Sequence, residues 1–394
     1  MSAAVRYGTV TKTFHWLTAL LILTVIPLGV IANELPYETN EELALKAWLF
    51  SLHKTFGVVI FFVALARILW ALGQTKPTGL HPERKVETFL AELVHWLLYI
   101  SLVAVPLTGW IHHAATTGFA PIWLPIGQDL PLVPKDESVA KLFAGLHWLW
   151  SKIMVAAILL HFAGALKHQF VDKDSTLRRM WFGASDPATA HSSNKTAPAA
   201  AIAVYLIATI TGGFAGIYAA KPTAASVALA EVSSDWAVQD GEIALTITQF
   251  GAPVSGQFAD WTAAIRFDET ASADIGDVTT TISIGSLSLG SVTGQALGAD
   301  FFDAGTFPTA TFTAPIQRDN SGAGYVAEGT LTIKDNAVPV TLPFDLTIEG
   351  DTATMAGSVT LDRRDFGIGD SMGDETNLAF AVQVDVTLTA KRSN

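Results

Sequence analysis

The stretch GLHWLWSKIMVAAILLHFAGALKH, residues 145–168, decides how the chain is read. It is an apolar run of membrane-crossing length that carries His147 and His161. At about 100° and 1.5 Å per residue, their fourteen-residue spacing sets the two imidazoles within roughly 40° of one another around a helix and about 21 Å apart along it. One helix face therefore offers an imidazole near each side of a bilayer. A histidine on an apolar helix is most often capped or interfacial, so the pair gains meaning only through partners elsewhere in the chain.

The composition supports a membrane reading. The chain has 394 residues, 50% of them hydrophobic and 15% charged, with a mean hydropathy of +0.38. That is too apolar for a soluble protein of this length, and long enough for at least two domains. Residues 1–220 hold 16 Lys+Arg against 13 Asp+Glu, and residues 221–394 hold 8 against 23, so the net −12 is the sum of +3 and −15. The halves face different surroundings, and neither has the charge of a nucleic-acid binder. With no cysteine, iron–sulfur clusters, thiolate zinc sites, disulfides and covalent c-type haem attachment are excluded.

Four more apolar runs complete the first half: about Phe14–Ala32, Leu49–Leu72, Phe89–His112 and residues 199–220. The first could be a signal peptide, but VIANELPY is a poor small-residue cleavage site and further spans follow, so a retained helix is expected. Arg6, Lys12, Lys76, Arg84, Lys85, Lys167, Lys173, Arg178, Arg179 and Lys195 all fall on one side, which the positive-inside rule makes cytoplasmic. A polar linker with Asp186, Pro187, Ser192, Ser193 and Asn194 precedes the fifth run. Five crossings then place everything after Lys221 outside, in the periplasm of a Gram-negative bacterium.

Orientation makes depth informative. His15 and His161 lie toward the cytoplasmic side, His53 and His147 toward the outer side, giving two depth-matched pairs. Two neutral imidazoles on different helices can bind one iron from opposite faces of a porphyrin inside a bundle. His15 with His161 is thus assigned to an inner haem and His53 with His147 to an outer one, both non-covalent. Among ten histidines such matching is not rare by chance, so spacing alone leaves a structural reading open.

The segments TFHWLTALLIL, LHKTFGVVIFFVALARILW, ELVHWLLYISLVAVPLTGW and GLHWLWSKIMVAAILLHFAGALKHQF resemble, in order, the four helices of the prokaryotic cytochrome b561 family over about residues 6–182. The resemblance implies a four-helix cytochrome b of the bacterial inner membrane that carries two b haems and exchanges electrons with ubiquinone. Some members are superoxide oxidases. His15, His53, His147 and His161 match the family's haem-ligand positions.

Other residues are softer candidates. Arg67, fourteen residues after His53, could pair with inner-haem propionates or simply snorkel to the interface. His95 could bond a propionate or a quinone, or be an ordinary buried histidine. His168, seven residues after His161, is the preferred quinone contact against plain interfacial placement. His112, His113 and Trp123 could shape the outer entrance. Lys54, Lys135, Lys141 and Lys152 could draw a small anion such as superoxide toward the outer haem.

After about Glu231 the period changes to two. GEIALTITQF, WTAAIRF, TTTISIGSLSL, TATFTAPI, GTLTI, VTLPFDLTI, TATMAGSVTL and LAFAVQVDVTLTA read as about eight strands between turns, which indicates a closed antiparallel barrel able to hold one elongated apolar ligand. ADFFDAGTFPTATFTAP, GTLTIKDNAVPVTLPFDL and LDRRDFGIGD resemble the YceI family of lipocalin-like periplasmic proteins over about 231–392, which implies a cavity for a polyisoprenoid lipid such as a ubiquinone tail. Phe301, Phe302, Phe307, Phe312 and Phe366 would line it or fill ordinary core, the commoner fate. Arg363, Arg364 and Asp365 could stand at the mouth or form a structural ion pair.

The expected organisation is a transmembrane di-haem domain at 1–182, a cytoplasmic linker at 183–198, a fifth, tethering helix at 199–220, a linker at 221–230 and the barrel at 231–394. The small residues ending at Ala230 also resemble a secretory cleavage site, so the fifth helix could be the old signal of a once separate barrel. Two functions from different classes remain. One is a quinone-linked oxidoreductase that takes electrons from superoxide or, run in reverse, delivers them from quinol to an external acceptor. The other is a lipid carrier anchored by its cytochrome.

Overall fold

A computed structural model describes residues 7–75, 80–81, 83–116, 119–183, 196–219, 226–271, 275–319 and 324–393. Arg6, Lys76, Lys195, Lys221 and the polar linker residues Asp186, Pro187, Ser192, Ser193 and Asn194 lie outside these. The chain forms two compact units, one helical and one of β-structure.

The helical unit is built on α1 (Thr9–Glu34), α2 (Asn40–Leu72), α3 (Lys85–Ala114) and α4 (Glu137–Lys167). A π-helical turn, His168–Asp172, continues α4, and α5 (Thr176–Arg179) is a single turn before α6 (Thr196–Phe214). Five of these helices are long and apolar enough to cross a membrane, so the chain is a multi-pass membrane protein. Each of the first four begins before its apolar run, and at α2 and α4 a polar side chain caps the extended start. Asp136 accepts the Val139 N–H at 2.9 Å, and Thr39 with Glu42 forms a reciprocal capping box at the start of α2.

Halfway along the bundle lies an apolar layer. Ile22, Val25, Ile60, Ala64 and Leu102 are buried there, with Phe56 and Ile158 packed against them, so α1 to α4 all contribute. Ala197, Ala201 and Tyr205 of α6 are buried, the last two in a cluster with Leu97 of α3 and Ala157 of α4. The Tyr205 hydroxyl bonds Ser101 Oγ and donates to Leu97 O at 3.2 Å, and the Trp150 indole donates to Thr209 Oγ1 at 3.1 Å. Polar bonds inside an apolar slab fix its position, since the alternative is an unsatisfied group in hydrocarbon.

The β-unit is one antiparallel sheet of ten strands: β1 (Trp236–Gln249), β2 (Ala252–Phe258), β3 (Trp261–Phe267), β4 (Gly276–Ser283), β5 (Leu287–Ser288), β6 (Thr309–Arg318), β7 (Tyr325–Ile333), β8 (Asn336–Glu349), β9 (Thr352–Asp362) and β10 (Leu378–Arg392). Their order is β3-β4-β6-β7-β8-β9-β10-β1-β2-β5. Eight strands were expected and ten are found. Proline and glycine at Pro253 and Gly256 disguise β2, and β5 is only two residues long.

The sheet curls on itself without a regular closing ladder. Its edge strand β3 returns to the start of β1, where the Asp235 N–H donates to Ile265 O at 2.9 Å and the Trp236 indole to Phe267 O at 3.1 Å. Between β1 and β2 the chain reverses through Phe250 and Gly251, both left-handed at φ 49° and 74°, which keeps Gln249 opposite Ala252. The concave side of the curled sheet lines a cavity of about 260 Å³.

Candidate functional site

The structure brings the four membrane histidines together in two pairs. His15 of α1 faces His161 of α4, and His53 of α2 faces His147 of α4, with ring centroids 6.2 Å apart in both cases. An imidazole nitrogen bonds a transition metal at about 2.0–2.1 Å and lies about 1.1 Å from its ring centre, so two rings sharing one metal have centroids about 6.3 Å apart. Both pairs fit a single iron between them, and the apolar layer around Ile22, Ile60 and Leu102 separates one pair from the other.

The two pairs are held differently. His53 Nδ1–H donates to Val25 O of α1 at 2.9 Å, and His147 Nδ1–H to Val105 O of α3, also at 2.9 Å. A carbonyl only accepts, so in both rings the proton sits on Nδ1 and Nε2 keeps the lone pair a metal needs. One turn beyond each carbonyl stands a glycine. A Cβ on Gly29 would lie 2.6 Å from His53 Cε1, and one on Gly109 would lie 2.9 Å from His147 Nδ1. Each ring therefore occupies a notch that any side chain would fill.

His15 and His161 have no such bond to a main-chain carbonyl among the described residues. Polar side chains stand beside them instead. The His95 ring meets His161 edge-on at 5.2 Å, Tyr99 stacks on His95 at 6.3 Å, and the Arg67 guanidinium lies 5.4 Å from the Tyr99 ring centre. Arg67 and His95, singled out in the sequence, thus reach the same pair. Tyr99, the link between them, was missed.

Basic residues gather at the end of the bundle nearest His15 and His161. Lys12 donates to Trp181 O at 2.8 Å and the Trp16 indole to Met180 O at 3.0 Å, fastening the segment after α5 to α1. Asp172 pairs with Arg84 at 3.1 Å and Lys167 at 2.9 Å. His168 Nδ1–H donates to Asp174 at 2.6 Å, and the His81 ring lies parallel to it at 6.4 Å. Burial would raise the Asp174 carboxyl, but the Thr176 N–H and hydroxyl, together with His168, outweigh this and hold it down at about 2. An ionised Asp174 therefore orients His168 at every physiological pH.

The remaining candidates divide. The Trp123 N–H is tied to Thr55 Oγ1 at 3.1 Å, two residues past His53, so the loop after α3 covers that end of the bundle. His112 Nδ1–H donates to Ala140 O at 2.9 Å with His113 beside it, a helix-to-helix brace. Lys135 and Lys141 are paired with Asp129 and Glu137, Lys152 lies over the Trp148 ring, and Lys54 is buried. Two of the four lysines proposed to attract an anion are thus already matched by carboxylates.

In the β-unit, Phe301, Phe302, Phe312 and Phe366 line the cavity, and Phe307 does not. Arg364 pairs with Asp362 at 2.6 Å. Arg363 is buried and binds main-chain carbonyls rather than a carboxylate, which locks the turn after β9.

Known proteins resemble the two units separately. The family description "Prokaryotic cytochrome b561" matches residues 6–183, and "YceI-like domain" matches residues 218–390. The chain is 32% identical over 181 residues to cytochrome b561 homolog 2 of Escherichia coli, an alignment covering 44% of this chain and 90% of that protein. It is 25% identical over 176 residues to the probable superoxide oxidase CybB of Yersinia pestis, covering 44% and 95%. Among solved structures, BcnA of Burkholderia cenocepacia aligns with 32% identity and a TM-score of 0.36, covering 38% of this chain and 96% of its own.

Proposed function

The chain belongs to the prokaryotic cytochrome b561 family through its helical half and continues into a YceI-like domain; from that premise we propose that it is a di-haem, quinone-linked electron carrier whose outer donor is superoxide and whose β-unit holds an isoprenoid chain. The observation that carries this reading is the pair of 6.2 Å imidazole spacings on either side of one apolar layer. Family membership brings haem b as cofactor. In this proposal there are two, held by His53 with His147 and by His15 with His161.

Haem bound by His53 with His147 and by His15 with His161 would supply one-electron redox chemistry. The chain's own residues do the rest. Val25 O and Val105 O orient the rings of one pair, and Ile22, Ile60 and Leu102 keep water and protons out of the path between pairs. Arg67 offers positive charge for propionates at the other pair. His168, oriented by Asp174, stands at the basic end as the group that contacts a quinone and moves a proton to it.

The electrons balance as two superoxide anions losing one electron each to give two dioxygen molecules, while one quinone takes up both electrons and two protons to become quinol. Lys12, Arg84, Lys85, Lys167, Arg178 and Arg179 set the basic end on the cytoplasmic side by the positive-inside rule, and five crossings carry the β-unit to the periplasm. The test is to measure haem content and the reduced-minus-oxidised spectrum of the purified chain, then mix it rapidly with superoxide and a soluble quinone. Two b-type haems per chain and quinone-dependent turnover are expected. Lack of a b-type signal would sink the redox reading, and a haem that superoxide fails to reduce would remove superoxide as donor.

The apolar cavity favours a second reading, a lipid carrier anchored by the helices. Haem loss in His53→Ala with lipid binding and cellular phenotype unchanged would favour it over the first.

A further inference from the structure

The polar cluster beyond α4 holds more than the His168–Asp174 pair. The π-helical turn carries His168 and Asp172 at its two ends, and Lys173, left-handed at φ 53°, turns the chain so that Asp174 returns beside His168, its N–H donating to His168 O at 3.1 Å. Among the described residues, His168, Asp172 and Asp174 thus offer three ligand atoms all within 4.8 Å of one another. His81 joins them from the segment between α2 and α3, with its Nε2 3.3 Å from Asp174 Oδ2.

Three of these four side chains are oriented from outside the cluster. Arg84 holds Asp172 Oδ1 at 3.1 Å and the Thr176 N–H holds Asp174 Oδ1 at 2.8 Å, so both carboxylates turn Oδ2 toward the His168 ring. Lys167 bonds Asp172 Oδ2 at 2.9 Å and Glu87 at 2.9 Å, so it keeps a carboxylate partner if the first is claimed. His81 Nδ1–H donates to the Glu83 carboxylate at 3.3 Å, which leaves the lone pair of the neutral ring on Nε2. That nitrogen is closed off from water and has no hydrogen-bond partner. A lone pair 3.3 Å from a carboxylate oxygen calls for a positive centre near both. A proton on Nε2 is poorly placed to be that centre, since it makes no hydrogen bond there.

Distances favour a metal ion. Ligand atoms at about 2.0–2.1 Å from a tetrahedral zinc stand about 3.3–3.4 Å from one another. His168 Nδ1 to Asp172 Oδ2 and His81 Nε2 to Asp174 Oδ2 are both 3.3 Å. His168 Nδ1 to Asp174 Oδ2 is a 2.6 Å hydrogen bond, which opens when a metal displaces its proton. We propose that His81, His168, Asp172 and Asp174 form a site for one divalent transition ion of the zinc type, two imidazoles and two carboxylates being a donor set that suits it. An ion there takes His168 Nδ1 for itself. On the reading of His168 as the quinone's proton donor, occupancy therefore shuts proton delivery off.

The test uses the full haem-loaded chain in detergent, free of any histidine tag, dialysed to equilibrium against buffered free zinc. One zinc per chain is expected, with an X-ray absorption spectrum showing two imidazoles and further oxygens at about 2.0–2.1 Å. His81→Gln should weaken binding by at least about a hundredfold, the upper end of what losing a partner outside the ligand set costs, and leave one imidazole in the shell. No bound zinc, a shell with fewer than two imidazoles, magnesium binding as tightly as zinc, or binding that His81→Gln leaves unchanged would each overturn the site. Zinc should also slow quinone reduction by about a hundredfold, the scale of losing a positioned acid–base group, and His81→Gln should resist it. Zinc bound as expected with turnover unslowed would support the site and overturn the proton role of His168. The shell in the unaltered chain decides the matter even if the variant does not fold.

Discussion

The two histidine pairs share a spacing and differ in everything around it. His53 and His147 are each pinned by a carbonyl one turn before a glycine notch, on α1 and on α3 respectively. His15 and His161 stand among side chains instead, with His95, Tyr99 and Arg67 in a row beside them and the His168–Asp174 pair at the same end of the bundle. The contrast teaches a division of labour. Backbone carbonyls fix the tautomer and orientation of the rings in one pair, whereas side chains able to carry charge or protons neighbour the other.

The sharpest way to break this comparison is to remove one ring from each pair. His147→Ala and His161→Ala should each lose one haem of two, halving the b-type absorbance per chain in a pyridine haemochrome assay, and each should stop electron transfer from superoxide to quinone. Loss of both haems in either variant would mean the pairs are not independent.

The next largest effect separates the ends by proton supply. His168→Gln should slow quinone reduction by about a hundredfold, the usual scale for a positioned acid–base group, with haem content and reduction by superoxide unchanged. Asp174→Asn should act in the same direction. Because the Asp174 carboxyl is held down at about 2, its contribution is complete above the ordinary carboxyl value of about 4 and is lost only as pH falls through about 2. The Asp174 carboxylate therefore takes up no proton between pH 5 and pH 8, and Asp174→Asn should slow steady-state turnover throughout that range.

Overpacking tests the notches. Gly29→Ala and Gly109→Ala press a Cβ onto a ring that cannot retreat, which costs about 1–3 kcal/mol and should appear as faster loss of one haem to a haem-scavenging apoprotein. The other haem should be retained. Smallest is Arg67→Gln: removing a positive charge near His15 and His161 should lower the midpoint potential of that haem by about 30–60 mV, where 59 mV is a tenfold change for one electron, and leave the other potential in place. Equal shifts of both would deny Arg67 its local role.

Much of this was legible before any coordinates. The fourteen-residue spacing sets His147 and His161 on one face of a helix, the depths of His15 and His53 match them to it, and β1 and β10 announce themselves by alternation. What stayed hidden has a common cause. Tyr99 looks like any aromatic on an apolar helix until α2 brings Arg67 over its ring. Gly29 and Gly109 read as ordinary small residues near Pro27 and Pro106 until rings from other helices enter their notches. The packing of α6 on the bundle through Tyr205, bonded to Leu97 and Ser101, is likewise not written in its apolar sequence.

The sequence by itself determined the classes of structure and the depths of the histidines, because hydrophobic period, span length and helical rise are local properties. Only the tertiary structure decided which carbonyl orients each ring, that Arg363 spends its charge on the backbone, and that His81 comes to stand beside Asp174 and His168. Those are facts about partners distant in the chain, and a hydrogen bond or its absence exists only once both groups have been brought to one place.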